Sequence, residues 1–329
     1  MLLVVTPGDP AGIGPEIVWK TLRNPRYRKL RIVCVGAAAP FEKLGAKIVE
    51  YPFRRPKSPH VWLIPAPTPT GSLTRNAAAL AGFQSGWSIA RATRLVLNEQ
   101  SAGRPAALVT GPISKERLNR GGYLYPGHTE FLAELCGARE VTMMLANDQL
   151  RITLATTHEA LKNVPRVLTR AKTETAIRHT ALHVRDWFGA RKPRIGVAAL
   201  NPHAGEGGMF GNEEGKIIAP AIARVARELK GRAEIVGPLP ADTLFAKHVN
   251  SPKNERFDAV VCMYHDQGLI PVKLLDFPRT VNVTLGLPIV RTSVDHGVAF
   301  DIAGKGVADP SSLQSALDQA VRILKNRRG

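Results

Sequence analysis

Short apolar runs alternate with longer segments of helical period along nearly the whole chain, and this rhythm sets the class of fold. Buried strands are predicted at Leu2–Thr6, Arg31–Val35, Val61–Ile64, Ala106–Thr110, Ile195–Leu200, Glu234–Val236 and Ala259–Val261. Helices are predicted from Pro15 to Leu22, Asn76 to Glu99, a Thr129 cap to Leu135, Thr169 to Trp187, Glu214 to Leu229, and Ser312 to Lys325. Val141–Leu145 and Leu150–Ala155 form a hairpin about Asn147-Asp148; Val281–Thr284 is extended and Gly286–Arg291 is a turn. Tyr51–Pro59 and Pro65–Gly71 are proline-rich surface connections. Strands alternating with helices give a mostly parallel α/β sheet, and the hairpin marks a second sub-domain.

Length and composition refine this picture without changing it. At 329 residues, with 44% hydrophobic and 22% charged, the chain is a globular protein large enough for two domains. Lys and Arg (45) outnumber Asp and Glu (27), giving a net charge of +18 and a preference for anionic partners. The basic clusters Arg23–Lys29 and Lys325–Arg328 lack interleaved aromatics and read as solvated helix ends or a tail, so nucleic acid is not the expected partner. Cys34, Cys136 and Cys262 are odd in number and mostly inside apolar segments, which argues for reduced thiols. Neither a signal peptide nor a membrane span is legible, so the expected location is cytoplasmic.

Candidate chemistry gathers at strand ends, where an α/β sheet places its ligands. His265 and Asp266 close the run ending in Cys262-Met263-Tyr264; His158 follows Leu150–Ala155, and His203 follows Ile195–Leu200. Taken singly, each reads equally as a hydrogen-bonded histidine. Three neutral imidazoles together suit a divalent metal with positions left open for substrate. Their separations, 45 and 62 residues, match no local ligand motif. The turn Pro7-Gly8-Asp9-Pro10-Ala11-Gly12-Ile13-Gly14-Pro15-Glu16 is not a dinucleotide fingerprint, because Ile17 stands where G-x-G-x-x-G requires glycine.

That turn, with Gly127-His128-Thr129-Glu130-Phe131, Thr156-Thr157-His158, Leu200-Asn201-Pro202-His203-Ala204-Gly205-Glu206, Pro240-Ala241-Asp242-Thr243, Met263-Tyr264-His265-Asp266-Gln267-Gly268 and Asn282-Val283-Thr284-Leu285-Gly286, resembles the 4-hydroxythreonine-4-phosphate dehydrogenase family across essentially the whole chain. The resemblance implies NAD-dependent oxidation of 4-phosphooxy-L-threonine to a β-keto acid that decarboxylates to 3-amino-2-oxopropyl phosphate, in pyridoxal phosphate biosynthesis. It implies a homodimer with one divalent metal (Zn, Mg or Co) per active site, held by His158 and His203 of one subunit and His265 of the other. His128, Thr129, Lys273, Asn282 and Arg291 would contact substrate. Asp242, Asp266 and Lys115 are the candidates for proton acceptor.

A second resemblance covers Val294-Asp295-His296-Gly297-Val298-Ala299-Phe300-Asp301-Ile302-Ala303-Gly304-Lys305-Gly306, which is similar to the H-G-S-A-P-D-I-A-G-K-G loop of isopropylmalate and isocitrate dehydrogenases. It implies a cofactor site at His296, Gly297 and Asp301. The carboxylate would accept the adenosine ribose hydroxyls and repel a 2′-phosphate, favouring NAD over NADP. Val298 and Phe300 depart from that loop's serine and proline. The expected fold is therefore two α/β domains flanking a cleft, isocitrate/isopropylmalate dehydrogenase-like and not Rossmann. Residues 1–126 with 305–329 would form one domain, and 127–304 the other, with the metal ligands and dimer interface. Alternatives are a sister dehydrogenase acting on 4-phospho-threonate, 4-phospho-erythronate or a cis-dihydrodiol carboxylate, a metal-dependent hydrolase or aldolase, and a basic nucleic-acid binder.

Overall fold

A computed structural model describes residues 1–52 and 60–327, so most of the predicted surface loop Tyr51–Pro59, and Arg328 of the basic tail, lie outside the described residues. In chain order the elements begin with β1 (Leu2–Thr6), α1 (Gly14–Arg23), β2 (Ile32–Gly36), α2 (Ala39–Lys43), β3 (Ile48–Glu50) and β4 (Val61–Pro65). There follow α3 (Ala77–Ser101), β5 (Ala106–Thr110), α4 (Lys115–Arg120), α5 (His128–Leu135), β6 (Thr142–Ala146) and β7 (Arg151–Leu154). The middle continues with α6 (Val164–Val167), α7 (Arg170–Phe188), β8 (Arg194–Ala198), α8 (Ala219–Glu228), β9 (Glu234–Leu239) and α9 (Ala241–Asn250). The chain closes with β10 (Ala259–Cys262), α10 (His265–Asp276), β11 (Val281–Leu285), β12 (Val290–Ser293) and α11 (Ser311–Asn326).

Two compact units emerge: Met1–Arg139 with Leu287–Leu324, and Glu140–Gly286 with the tail from Lys325. These limits differ from the predicted 126/127 and 304/305. On the first side, α5 packs on α3, which keeps residues up to Arg139 in unit 1. On the second, β12 pairs with β5, so the chain has rejoined unit 1 before residue 304.

In unit 1 the strands run β3-β4-β2-β1-β5-β12, all in parallel register. β1, β2 and β5 are buried throughout because helices cover both faces of such a sheet, which is why they read as unbroken apolar runs. Asn76 caps α3, its Oδ1 accepting from the amides of Ala78 and Ala79 at 3.0 and 3.1 Å.

In unit 2 the order is β11-β6-β7-β10-β8-β9. The last three neighbouring pairs are parallel, but β11–β6 and β6–β7 are antiparallel, so the sheet is mixed. The predicted hairpin is present: Asn147 Oδ1 accepts from the amides of Gln149 and Leu150, both at 2.9 Å, and so closes the turn. Leu145, Leu150, Ile152, Val260 and Leu269 form the core between these strands and α10.

Three local expectations are corrected. Thr129 is not a cap, because the extended backbone of Gly127 lets α5 begin at His128 and puts Thr129 inside the first turn. Gly286–Arg291 is not wholly a turn, since Val290 and Arg291 begin β12. The helix predicted from Glu214 opens with a π-turn over Glu214–Ile218 before α8. Among the described residues no helix is long and apolar enough to cross a membrane.

Candidate active site

In unit 2 the three predicted metal ligands leave the same end of three adjacent parallel strands, β7, β10 and β8, spaced by about 4.8 Å each. Their order across the sheet is His158, His265, His203. Buried polar side chains lash these strand ends together. Thr156 donates to the Met263 carbonyl at 2.7 Å, tying the end of β7 to that of β10. Gln267 accepts from the Met263 amide and donates to the Ala199 carbonyl, both at 2.7 Å, tying β10 to β8.

The segment carrying His203 is the most constrained. His203, Ala204, Gly205, Glu206 and Gly207 all have left-handed φ, between 42° and 82°. Each non-glycine residue there costs about 1–2 kcal/mol. The turn is held by Glu214, whose Oε1 accepts from the amides of Leu200 and Asn201 at 2.9 and 2.7 Å. Burial pushes the Glu214 carboxyl up, but the Asn201 side-chain amide, donating to Oε2 at 3.0 Å, and these backbone amides together hold it below its ordinary range. His158 is also left-handed, with φ 50°. Strain of this kind concentrates where a side chain must be aimed.

The rings of His158 and His265 lie 5.5 Å apart within one chain, at 41°. His265 Nδ1 is 2.7 Å from Asp266 Oδ1. A carboxylate accepts only, so Nδ1 carries the proton and Nε2 is left as a lone-pair donor, the tautomer a metal needs. Among the described residues no three His, Cys, Asp or Glu side chains close a metal site within the single chain. Neutral imidazoles are nevertheless donors of the kind a divalent ion takes, and two of the three predicted ones are neighbours here. Asp242 and Asp266 occupy the first turns of α9 and α10, at the ends of β9 and β10. Lys273 lies on α10, its Nζ 5.3 Å from the Phe277 ring centre, and Asn282 lies on β11.

Unit 1 carries the other predicted residues. Arg291 on β12 is only 3% exposed and donates to Thr110 Oγ1 through Nη2 at 2.8 Å and Nε at 3.2 Å. Burial lowers its pKa to about 9, so it remains a cation at neutral pH. Burial, reinforced by the charge of Arg291, holds the His128 imidazole well below the usual histidine range. Its Nε2 is buried with no partner among the described residues. A neutral ring beside a buried cation suits an anionic ligand that also offers a hydroxyl. The Lys115 side chain passes close to Gly127, at the start of the same helix.

The predicted cofactor loop docks on the amino-terminal turn. Ile13 N donates to the Val298 carbonyl at 3.0 Å, and Glu16 accepts from the amides of Gly306 and Ala308 at 3.2 and 2.8 Å. Lys20 donates to the carbonyls of the same two residues. His296 Nδ1 is 2.9 Å from the Gly297 carbonyl, while its Nε2 is buried and unpartnered among the described residues. A Cβ on Gly297 would meet nothing within 4 Å, and Asp301 is exposed. Sequence reasoning did not single out Thr156, Gln267 or Glu214 as positioning residues. A polar residue beside a predicted strand end was the only signal.

The chain is similar to known proteins over nearly all of its length. The family described as pyridoxal phosphate biosynthetic protein PdxA matches residues 54–320. A 4-hydroxythreonine-4-phosphate dehydrogenase of Geobacter metallireducens is 46% identical over 98% of this chain and 95% of its own. A Bradyrhizobium diazoefficiens protein provisionally named D-threonate 4-phosphate dehydrogenase is 42% identical over 98% of this chain and 96% of its own. The crystal structure of the Klebsiella pneumoniae 4-hydroxythreonine-4-phosphate dehydrogenase superposes with a TM-score of 0.85 at 39% identity, covering 98% and 99% of the two chains. The isocitrate dehydrogenase of Methylococcus capsulatus shares the fold, with a TM-score of 0.50 at 17% identity over 99% and 86%.

Proposed function

The chain belongs to the PdxA family of pyridoxal phosphate biosynthetic proteins, and from that membership we propose that it oxidises 4-phosphooxy-L-threonine with NAD. It is a dehydrogenase acting on a small phosphorylated alcohol. The secondary alcohol loses its hydroxyl proton to a base and its hydride to the nicotinamide ring. The resulting 2-amino-3-oxo-4-phosphooxybutanoate loses carbon dioxide to give 3-amino-2-oxopropyl phosphate.

The observation that carries the reading is the alignment of His158, His265 and His203 at one end of three neighbouring strands, with the His265 tautomer set by Asp266. These residues would hold one divalent ion, Zn²⁺, Co²⁺ or Mg²⁺, in a homodimer whose subunits share the ligands. Such an ion lowers the pKa of an alcohol and stabilises developing negative charge on oxygen. Arg291 and Lys273 bind phosphate and carboxylate oxygens, and His128, Thr129 and Asn282 supply neutral hydrogen bonds. Asp242 and Asp266, on first helical turns, are candidates to take the hydroxyl proton, and Lys115 is the third. His296, Gly297 and Asp301 receive the adenosine half of NAD. The reaction is assigned to the cytoplasm.

The likeness to the D-threonate 4-phosphate enzyme supports a second reading, in which the substrate carries a 2-hydroxyl in place of the 2-amino group. An ammonium at that carbon needs a carboxylate acceptor, which Asp242 or Asp266 offers. Purified protein with NAD and a divalent ion is assayed for NADH release on each substrate. We expect the amino acid phosphate to give the higher kcat/KM; a preference for the threonate overturns this choice.

A further inference from the structure

The residue before Asp301 is built into a stack that the reaction above does not explain. Phe300 is 42% exposed, an unusual placement for a large aromatic ring, yet it is not loose. The guanidinium carbon of Arg117 lies 4.0 Å from the centre of its ring. Arg117 is held in turn by Asp9, whose Oδ1 accepts from Arg117 Nη1 at 3.4 Å and from the Ala11 amide at 2.9 Å. Asp9 is 1% exposed and its Oδ2 has no partner among the described residues, so this carboxylate has no role in solvent. Ahead of the ring, Ala299 adopts a left-handed φ of 42°, and Val298 is bonded to Ile13. A strained residue and a fixed carbonyl therefore aim Phe300 from one side while a cation backs it from the other.

We propose that Phe300, backed by Arg117 and Asp9, is the platform on which the adenine ring of the dinucleotide stacks. The proposal rests on the NAD reading of the same loop and deepens it by naming the base contact. Asp301, the next residue, addresses the ribose hydroxyls, so base and sugar are met by neighbours in the chain. Every purine offers a π-face, and a ring polarised by a guanidinium behind it is a better partner for an electron-rich base. A proline at this position, as in the isopropylmalate dehydrogenase loop, offers no such face; the aromatic ring here is a different solution to binding the base.

Titration calorimetry with ADP-ribose and with NADH, run on the dimer with and without added Zn²⁺, tests the idea without relying on turnover. Phe300→Ala is expected to weaken both ligands about 10-fold to 100-fold, while Phe300→Trp stays within about threefold of the native protein. Reduced nicotinamide mononucleotide, which lacks adenosine, is expected to bind both variants equally. Should Phe300→Ala misfold, Arg117→Gln removes the backing and is expected to weaken ADP-ribose several-fold. If Phe300→Ala keeps native ADP-ribose affinity while Asp301→Ala loses it, the platform is wrong and the NAD site stands. If the native protein binds neither ADP-ribose nor NADH, both readings fall.

Discussion

His265 Nδ1 lies 2.7 Å from the carboxylate of Asp266, the residue that follows it in the chain. One side chain thereby fixes the tautomer of the other and leaves the lone pair on Nε2. The pair makes Asp266 a candidate for two tasks, orienting a ligand and accepting a proton.

Asp266→Asn separates these tasks. The amide still reaches His265 but can present its NH2 to Nδ1 and favour the wrong tautomer. Metal affinity, read by competition with a chromogenic chelator, is expected to fall about 10-fold to 100-fold with the fold intact. Unchanged metal affinity with lost turnover would leave Asp266 as base alone.

Arg291 is a buried cation, proposed above to bind an anionic group of the substrate. Arg291→Met keeps most of the volume and removes the charge. We expect kcat/KM for the phosphorylated substrate to fall by about 2–5 kcal/mol, or roughly 30-fold to 5,000-fold, with little change in Tm. A variant that retains native kcat/KM removes Arg291 from substrate binding.

Two half-buried histidines of α7 make stability depend on pH. Burial lowers the pKa of His179, and that of His183 to about 4. His183 donates through Nδ1 to the His179 carbonyl and accepts at Nε2 from the Gly286 amide at 3.2 Å, so a second ring proton would face a donor. The unfolded chain binds protons on both residues below about pH 6.5, whereas the folded chain does not. Stability is therefore complete above about pH 6.5 and is lost progressively below it. The fall in Tm between pH 7 and pH 5 is expected to be shallower in His183→Gln than in the native protein, whatever the absolute Tm. Parallel slopes would show that His183 does not carry the dependence.

Ala204 has φ 54° in the left-handed turn behind His203, so glycine fits there better than alanine. Ala204→Gly is expected to be neutral or to stabilise by up to about 1 kcal/mol. The same change at exposed Ala223 in α8 is expected to cost about 1 kcal/mol. Gly205→Ala puts a Cβ 2.8 Å from Glu214 Oε2 and is expected to destabilise. Denaturant midpoints of the three variants decide the matter; a loss at Ala204→Gly equal to that at Ala223→Gly would deny the strained turn.

The sequence disclosed what depends on local pattern. Strands covered on both faces read as apolar runs, and Asn147 announced its hairpin. β12 escaped notice because Arg291, Thr292 and Ser293 look like a polar surface. Their partners lie far off: Arg291 and Ser293 bond to Thr110, and Thr292 to the Ala316 carbonyl. α9 and α10 are not legible because neither opens on a side-chain cap. The histidines were legible as strand-end residues and through family resemblance. Gln267 and Thr156 were not, since what they do is bridge segments distant in sequence.

The grip of Glu16 and Lys20 on Gly306 and Ala308 joins the first helix to a loop nearly the whole chain away. As the polypeptide leaves the ribosome, the amino-terminal strands emerge first and wait longest, lacking β12 and the amides that satisfy a buried glutamate. The middle of the chain, whose six strands are consecutive from β6 to β11, has all of them before β12 emerges. Synthesis order and completion order are thus reversed for the amino-terminal unit.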